Sequence, residues 1–339
     1  MNKVNNRRNF IKTTAAAGIG LSILNNNAMF ARDVIQVEKK IGIIGLDTSH
    51  SVAFTKEFNA ENAAPELGGY RVVAAYPKGS NDIQSAVSRI PQYTEDVKKL
   101  GVEIVDSIEA LLEKVDFVCL ETNDGRLHLE QAMLVLKAGK PMFIDKPIAA
   151  SLKDGILIFE EAEKRKVPVF SSSSLRFIPT TQAVVQGKGG KVIGAFTYSP
   201  APIEKTHPDL FWYGIHGVET LFTVMGKGCK EVIRYYTDDA DVIIGKWNDG
   251  RLGTFRSIRK GRQHFGGTVF GENEVSVLGN YEGYKSLLLE IVKFFNTGIP
   301  PVNSDETLEI LAFMEAADES RRLNEATVSI ESMMVRARS

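Results

Sequence analysis

At 339 residues with a formal net charge of −1, the chain has room for two domains and no electrostatic reason to meet nucleic acid or an anionic membrane. Its 43% apolar and 24% charged residues are ordinary for a soluble globular protein, and its two cysteines, Cys119 and Cys229, argue against a disulfide framework.

The chain opens on Arg7-Arg8-Asn9-Phe10-Ile11-Lys12, a twin-arginine pattern, followed by an apolar run over 15–24 that is too short for an ordinary membrane span. This resembles a Tat export signal, with cleavage near Ala28 or Ala31; a basic disordered tail is the alternative. The reading sets residues 1–33 apart from the fold and predicts export through the Tat machinery to the periplasm.

Residues 40–51, KIGIIGLDTSHS, predict a strand, a turn and the start of a helix, the arrangement in which a nucleotide phosphate rests on a helix N-terminus. The glycine fingerprint G-x-G-x-x-G is altered here, with Gly45 kept and Asp47 and His50 in the second and third glycine positions. A side chain at Asp47 obstructs close approach to a pyrophosphate, and its charge opposes one. Thr48 and Ser49 still offer N–H and hydroxyl donors. Binding therefore needs a displaced phosphate or an Asp47 turned to cap the helix; otherwise the nucleotide site is vestigial.

Next come a helix over 51–59 and a strand over 71–76, RVVAAY. An NAD-preferring strand end carries an acidic residue for the ribose, whereas this one leads to Lys78 and Ser80, which are placed to receive a 2′-phosphate. That tilts the reading from NAD toward NADP, with a solvated turn as the alternative. A helical stretch over 82–100, a strand over 103–105, a helix over 107–114 and strands over 116–120 and 141–144 follow. The alternation predicts a Rossmann-type, doubly wound parallel sheet over 38–172, with ligands at the carboxyl ends of its strands. A helix over 152–166 and a strand over 167–172 complete it. From 173 to 335 strands dominate, at 192–199, 231–237, 241–247 and 252–258 with two more around 268–278, and Asn248-Asp249-Gly250 marks a hairpin. This predicts an α+β domain with a large, mainly antiparallel open sheet for substrate or oligomerisation. The helix over 282–296 carries Leu287, Leu288, Ile291 and Phe294 on one face, and Asn303 with Glu306 starts a final helix ended by Arg321 and Arg322.

The segment ETNDGRLHLEQAMLVLKAGKPMFIDKPIAAS resembles the T-P-N-x-x-H … A-G-K-x-V-x-x-E-K-P block of the Gfo/Idh/MocA oxidoreductases, and Leu175-Arg176-Phe177 resembles the family's next motif. The resemblance implies a nicotinamide-dependent oxidoreductase acting on a sugar, polyol or glycoside, with C-terminal helices packed back on the nucleotide domain. It places Lys146 against the nicotinamide ribose and substrate, and assigns Thr122, Asn123, His128 and Arg176 to the cofactor side. Asp145 replaces the usual glutamate. An ammonium beside a sugar hydroxyl lowers its pKa as hydride departs; a strand-end salt bridge is the alternative role.

By the same resemblance His216, in Trp212-Tyr213-Gly214-Ile215-His216, occupies the acid–base position of a D-x-G-x-H signature, with Glu219 following. Trp212 replaces the aspartate, and Asp209 is the candidate substitute. A capped or core histidine is the alternative. Residues 211–213, with Trp212 and Tyr213, read either as a stacking platform for a sugar ring or as core. His50, His128, His207, His216, Asp47 and Asp145 are scattered without H-x-H spacing, so no metal is expected. Export without free NAD(P) requires a tightly held cofactor, regenerated in place or used in a redox-neutral cleavage; a cofactor-free sugar-binding or assembly protein is the third reading. A homo-oligomer through an exposed sheet face is expected.

Overall fold

The computed structural model describes residues 39–279 and 281–339; the twin-arginine segment lies outside them. Short apolar runs separated by amphipathic helices build six parallel strands: β1 (Lys39–Ile44), β2 (Tyr70–Tyr76), β3 (Glu103–Ile104), β4 (Phe117–Leu120), β5 (Met142–Ile144) and β6 (Val169–Ser171). Their order is β3-β2-β1-β4-β5-β6, the doubly wound arrangement whose switch point falls between β1 and β4. Both faces are covered, as a parallel sheet requires. Helix Ser49–Asn59 and helix Lys285–Thr297 bury Phe54, Phe58, Leu288, Ile291 and Phe294 with Ile43, Cys119 and Phe143 on one side. Ile44, Leu120 and Ile144 face the other side, with residues of helices His128–Lys137 and Leu152–Arg165.

The helical stretch expected over 82–100 is two helices, Gln84–Val87 and Ile90–Lys99. Pro91 is the reason: proline is tolerated in a first turn, where its missing N–H has no partner to lose, and not in a helix interior.

The second sheet comprises β7 (Val192–Pro200), β8 (Cys229–Tyr236), β9 (Asp241–Trp247), β10 (Leu252–Ile258), β11 (Gly266–Gly271), β12 (Val275–Leu278) and β13 (Val328–Ser329), in the order β12-β11-β7-β10-β9-β8-β13. All neighbours are antiparallel except β7 and β10. One face carries helix Ile215–Met225, packed so closely that a Cβ on Gly217 would lie 2.2 Å from the Phe255 ring. Elsewhere Ile193, Leu252, Phe270, Val275 and Val277 are exposed. Helix Ser304–Arg322 starts at Asn303, whose side chain accepts the Glu306 N–H. No helix among the described residues is long and apolar enough to cross a membrane.

Candidate active site

Strand register brings the site together. Ile44 pairs with the backbone of Leu120, and Leu120 with Ile144, so the residues just beyond, Gly45, Glu121 and Asp145, emerge side by side. The Glu121 N–H reaches the Ile44 carbonyl at 2.7 Å and the Asp145 N–H the Leu120 carbonyl at 2.9 Å, extending the ladder past the strand ends. Side chains alternate along a strand, so Glu121 and Asp145 fall on the face of Cys119 and Phe143, beneath the first turn of helix Ser49–Asn59. That turn carries His50, whose ring packs on Tyr284 at 4.6 Å and Phe54 at 5.9 Å. Gly45, at φ +90°, must be glycine, because a Cβ there would lie 2.5 Å from the Thr122 nitrogen.

Asp47 is fully buried and turns inward. Its carboxylate accepts the Ser80 N–H at 3.0 Å and the Asn123 N–H at 2.9 Å, tying the loops after β2 and β4 to the loop after β1. Burial pushes the carboxyl above its ordinary value, and these two donors pull it partly back. Thr48, not Asp47, is the residue before the helix, and its side chain makes no capping bond. First-turn N–H groups therefore remain available, Ser49 at their start being exposed.

Beyond the end of β2, exposed Lys78 rims a cleft of about 280 Å³ with Tyr76, Asp106, Leu127 and Glu130. Ser80 does not join it: it is buried, donating to Asp82 at 3.1 Å and accepting the Ile83 N–H at 3.2 Å. Thr122 is buried with its hydroxyl unpartnered, and Asn123 is half-buried above Asp47. His128 is an internal tie. Its Nε2 lies 2.6 Å from the Thr122 carbonyl and its Nδ1 3.1 Å from those of Pro147 and Ile148. Burial holds its pKa below the ordinary histidine value.

Around Asp145 the charges converge. Lys146 Nζ donates to Asp145 Oδ2 at 3.0 Å, and His50 Nδ1 lies 2.9 Å from the same oxygen. Burial raises Asp145, but His50 and Lys146 outweigh it and hold the carboxyl below its usual range. Glu121 goes the other way, pushed well up by burial and then by the Asp145 charge.

His216 comes from the second sheet's helix. It is buried, its Nδ1 lies 2.8 Å from Ser173 Oγ, and Tyr213 meets it edge-on at 4.9 Å. Burial, then the nearby charges of Lys146 and His50, hold its pKa well below the ordinary value, so the ring is neutral at pH 7. Ser173 is itself set by Glu219, whose carboxylate accepts the Ser173 N–H at 2.8 Å, the Ser172 hydroxyl at 2.6 Å and Arg176 Nε at 2.8 Å.

Residues 39–173 match the model of the GFO_IDH_MocA family, an oxidoreductase family with an NAD-binding Rossmann fold. The first domain is thus similar to the nucleotide-binding domain of that family. Among solved structures, the chain is similar to a probable dehydrogenase from Thermotoga maritima, at 20% identity and TM-score 0.70, covering 87% of this chain and 99% of that one. Scyllo-inositol dehydrogenase from Lactobacillus casei with bound NAD(H) and scyllo-inositol gives 15% identity and TM-score 0.69 over 87% of this chain and 99% of that one. Myo-inositol dehydrogenase from Lactobacillus casei in complex with NAD(H) and myo-inositol gives 15% and 0.68 over 86% and 96%. At these identities the likeness establishes the fold. No curated protein is a significant match.

Within this fold, the expected residues Lys146, His216, Thr122 and Asn123 gather at one end of the sheet, while others are engaged in structural pairs. Arg176, which the resemblance assigns to the cofactor side, is buried between Glu219 and Glu306, its NH2 2.7 Å from Glu306. Asp209 does not take the place of the missing aspartate. It pairs with Arg234 at 3.1 Å and with Arg321, away from His216. Trp212 lies against His207 at 5.0 Å, and His207 in turn sits 3.1 Å from Asp124. Glu121 and Ser173 were not singled out by the sequence. The available signal for Glu121 was an acidic residue directly ending a buried strand.

Proposed function

We propose that the chain is an oxidoreductase acting at a hydroxyl-bearing carbon of a sugar, polyol or glycoside, with Lys146 and His216 handling the proton. The observation that carries this reading is the juxtaposition of an ammonium and a neutral imidazole. The Lys146 charge is near enough to depress His216, and His216 Nε2 has no hydrogen-bond partner among the described residues. In the tautomer whose Nδ1–H donates to Ser173 Oγ, Nε2 is free to take a proton, while the ammonium stabilises the alkoxide that forms. Tyr213, half-buried against His216, offers a face for a sugar ring. The polyols held by the inositol dehydrogenases of the same fold support this substrate class.

NAD(P) would supply the hydride chemistry. The cleft beside Lys78 suits an adenosine end, and the first-turn N–H groups of helix Ser49–Asn59 suit a phosphate. The inner position does not, because Asp47 holds the Ser80 and Asn123 donors. The nucleotide must therefore lie outside Asp47. That closure also favours a second reading, a sugar-binding protein without nucleotide. Export by the Tat route and a homo-oligomer through the exposed face at Leu252, Phe270 and Val277 belong to the same proposal.

The test is to purify the exported chain without added cofactor, denature it and analyse the released small molecules, then titrate the native protein with NAD and NADP. Nicotinamide in either experiment supports the enzyme. Its absence from both leaves the binding protein. Where cofactor is present, net reduction against net cleavage of glycosides separates a dehydrogenase from a redox-neutral lyase or hydrolase.

A further inference from the structure

The cluster beneath the first turn of helix Ser49–Asn59 has a feature that the proton-transfer reading leaves unused. His50 Nδ1, a Glu121 carboxylate oxygen and an Asp145 carboxylate oxygen all lie within 4.8 Å of one another, with His50 Nδ1 2.9 Å from Asp145 and 3.8 Å from Glu121. Glu121 is 0% exposed, and neither of its oxygens has a hydrogen-bond partner. Asp145 Oδ1 is likewise buried and unpartnered. His50 Nδ1, despite its closeness to Asp145, forms no hydrogen bond along the ring N–H direction. Lys146 and His50 both approach Asp145 Oδ2, yet both Glu121 oxygens and Asp145 Oδ1 are left without a proton donor among the described residues.

Ion pairing alone does not account for this. Lys146 bonds to Asp145 Oδ2 and leaves Glu121 without a donor. Protonating Glu121 removes its charge but still leaves its second oxygen without a donor, so a buried polar atom stays unmet in either state. A cation satisfies all three groups at once. Strand register makes the site a rigid one, since Glu121 and Asp145 extend two paired strands and His50 sits on a packed helix.

We propose that His50, Glu121 and Asp145 bind one divalent first-row metal ion, of the zinc or manganese class. One imidazole and two carboxylates suit those ions better than magnesium, which prefers all-oxygen surroundings, or copper(I), which prefers sulfur. Three protein ligands leave coordination positions open for water or a substrate hydroxyl, the pattern of catalytic rather than structural sites. Lys146 bonds to the Asp145 carboxylate, and His216 feels the charges of Lys146 and His50, so a metal held there would help polarise the hydroxyl that they deprotonate. The site does not depend on whether the chain holds a nicotinamide.

The experiment strips the full exported chain with a chelator, dialyses it, and titrates Zn²⁺ and Mn²⁺ separately, with metal content measured after desalting. One equivalent of one ion is expected, with a rise in Tm on binding. Glu121→Gln and His50→Gln are each expected to lower affinity by more than the roughly 10- to 100-fold that loss of an outer-shell partner costs. His264→Ala, at an exposed imidazole outside the cluster, is expected to leave it unchanged. Circular dichroism of the stripped variants checks folding, and if Glu121→Gln does not fold, His50→Gln decides. No stoichiometric binding, or affinity unchanged in the folded variants, overturns the proposal.

Discussion

Asp47 and Gly79 are in such close contact that a Cβ on Gly79 would lie 2.0 Å from Asp47 Oδ2. The aspartate at the second fingerprint position has thus been fitted into the space between the loops after β1 and β2, and its charge stays there. Two unit charges about 4 Å apart repel by roughly 4 kcal/mol at an effective dielectric of about 20. Asp47→Gly removes that repulsion and frees the Ser80 and Asn123 donors. NAD(P) affinity should rise about tenfold or more, by isothermal titration. The variant should also lose about 2 kcal/mol of stability with its two charged hydrogen bonds. Unchanged affinity would mean that Asp47 does not control the nucleotide.

His216 predicts a pH dependence with a definite sign. Its folded pKa is depressed, so the unfolded chain binds the proton more readily. The stability it contributes is complete above the unfolded value of about 6.5 and is lost as pH falls below it. His128, depressed by its own burial, acts in the same direction. Urea midpoints measured from pH 7.5 to 5 should fall, and His216→Gln should flatten part of that fall. An identical slope in the variant would contradict the assignment.

Arg176 should behave as a structural residue. Replacing it with Met leaves Glu219 and Glu306 unpaired in the interior, costing about 3 kcal/mol in a denaturant melt. NAD(P) affinity of the folded fraction should be unchanged. A selective loss of affinity would return Arg176 to the cofactor.

Asp209→Asn should likewise lower stability, by about 1 kcal/mol given its partial exposure, and leave KM for the substrate unaltered. A raised KM with normal stability would place Asp209 at the substrate instead.

Much of the fold was legible because it depends on local patterns. Apolar runs, the turn at Asn248-Asp249-Gly250 and the Asn303 cap are each written in a few adjacent residues, and β9 and β10 fall where they were expected. The site was legible only in part. Lys146 and His216 follow from motifs, whereas Asp47 finds its donors 33 and 76 residues away, at positions that no local pattern links to it. Glu121 reads in one dimension as a polar residue at a strand end. Only the pairing of β1, β4 and β5 shows that it lies beside Asp145 and beneath His50. The ion pairs of Arg176 and Asp209 were hidden for the same reason, since their partners Glu306, Arg234 and Arg321 come from elements late in the chain.

Whether Lys146 assists proton removal from a substrate hydroxyl is decided by comparing wild type with Lys146→Ala under saturating cofactor and a panel of sugars and polyols. The measured quantity is the rate of nicotinamide reduction or glycoside cleavage. A loss of about 100-fold or more in kcat is expected, with the fold retained. Equal rates in the two proteins would contradict that role.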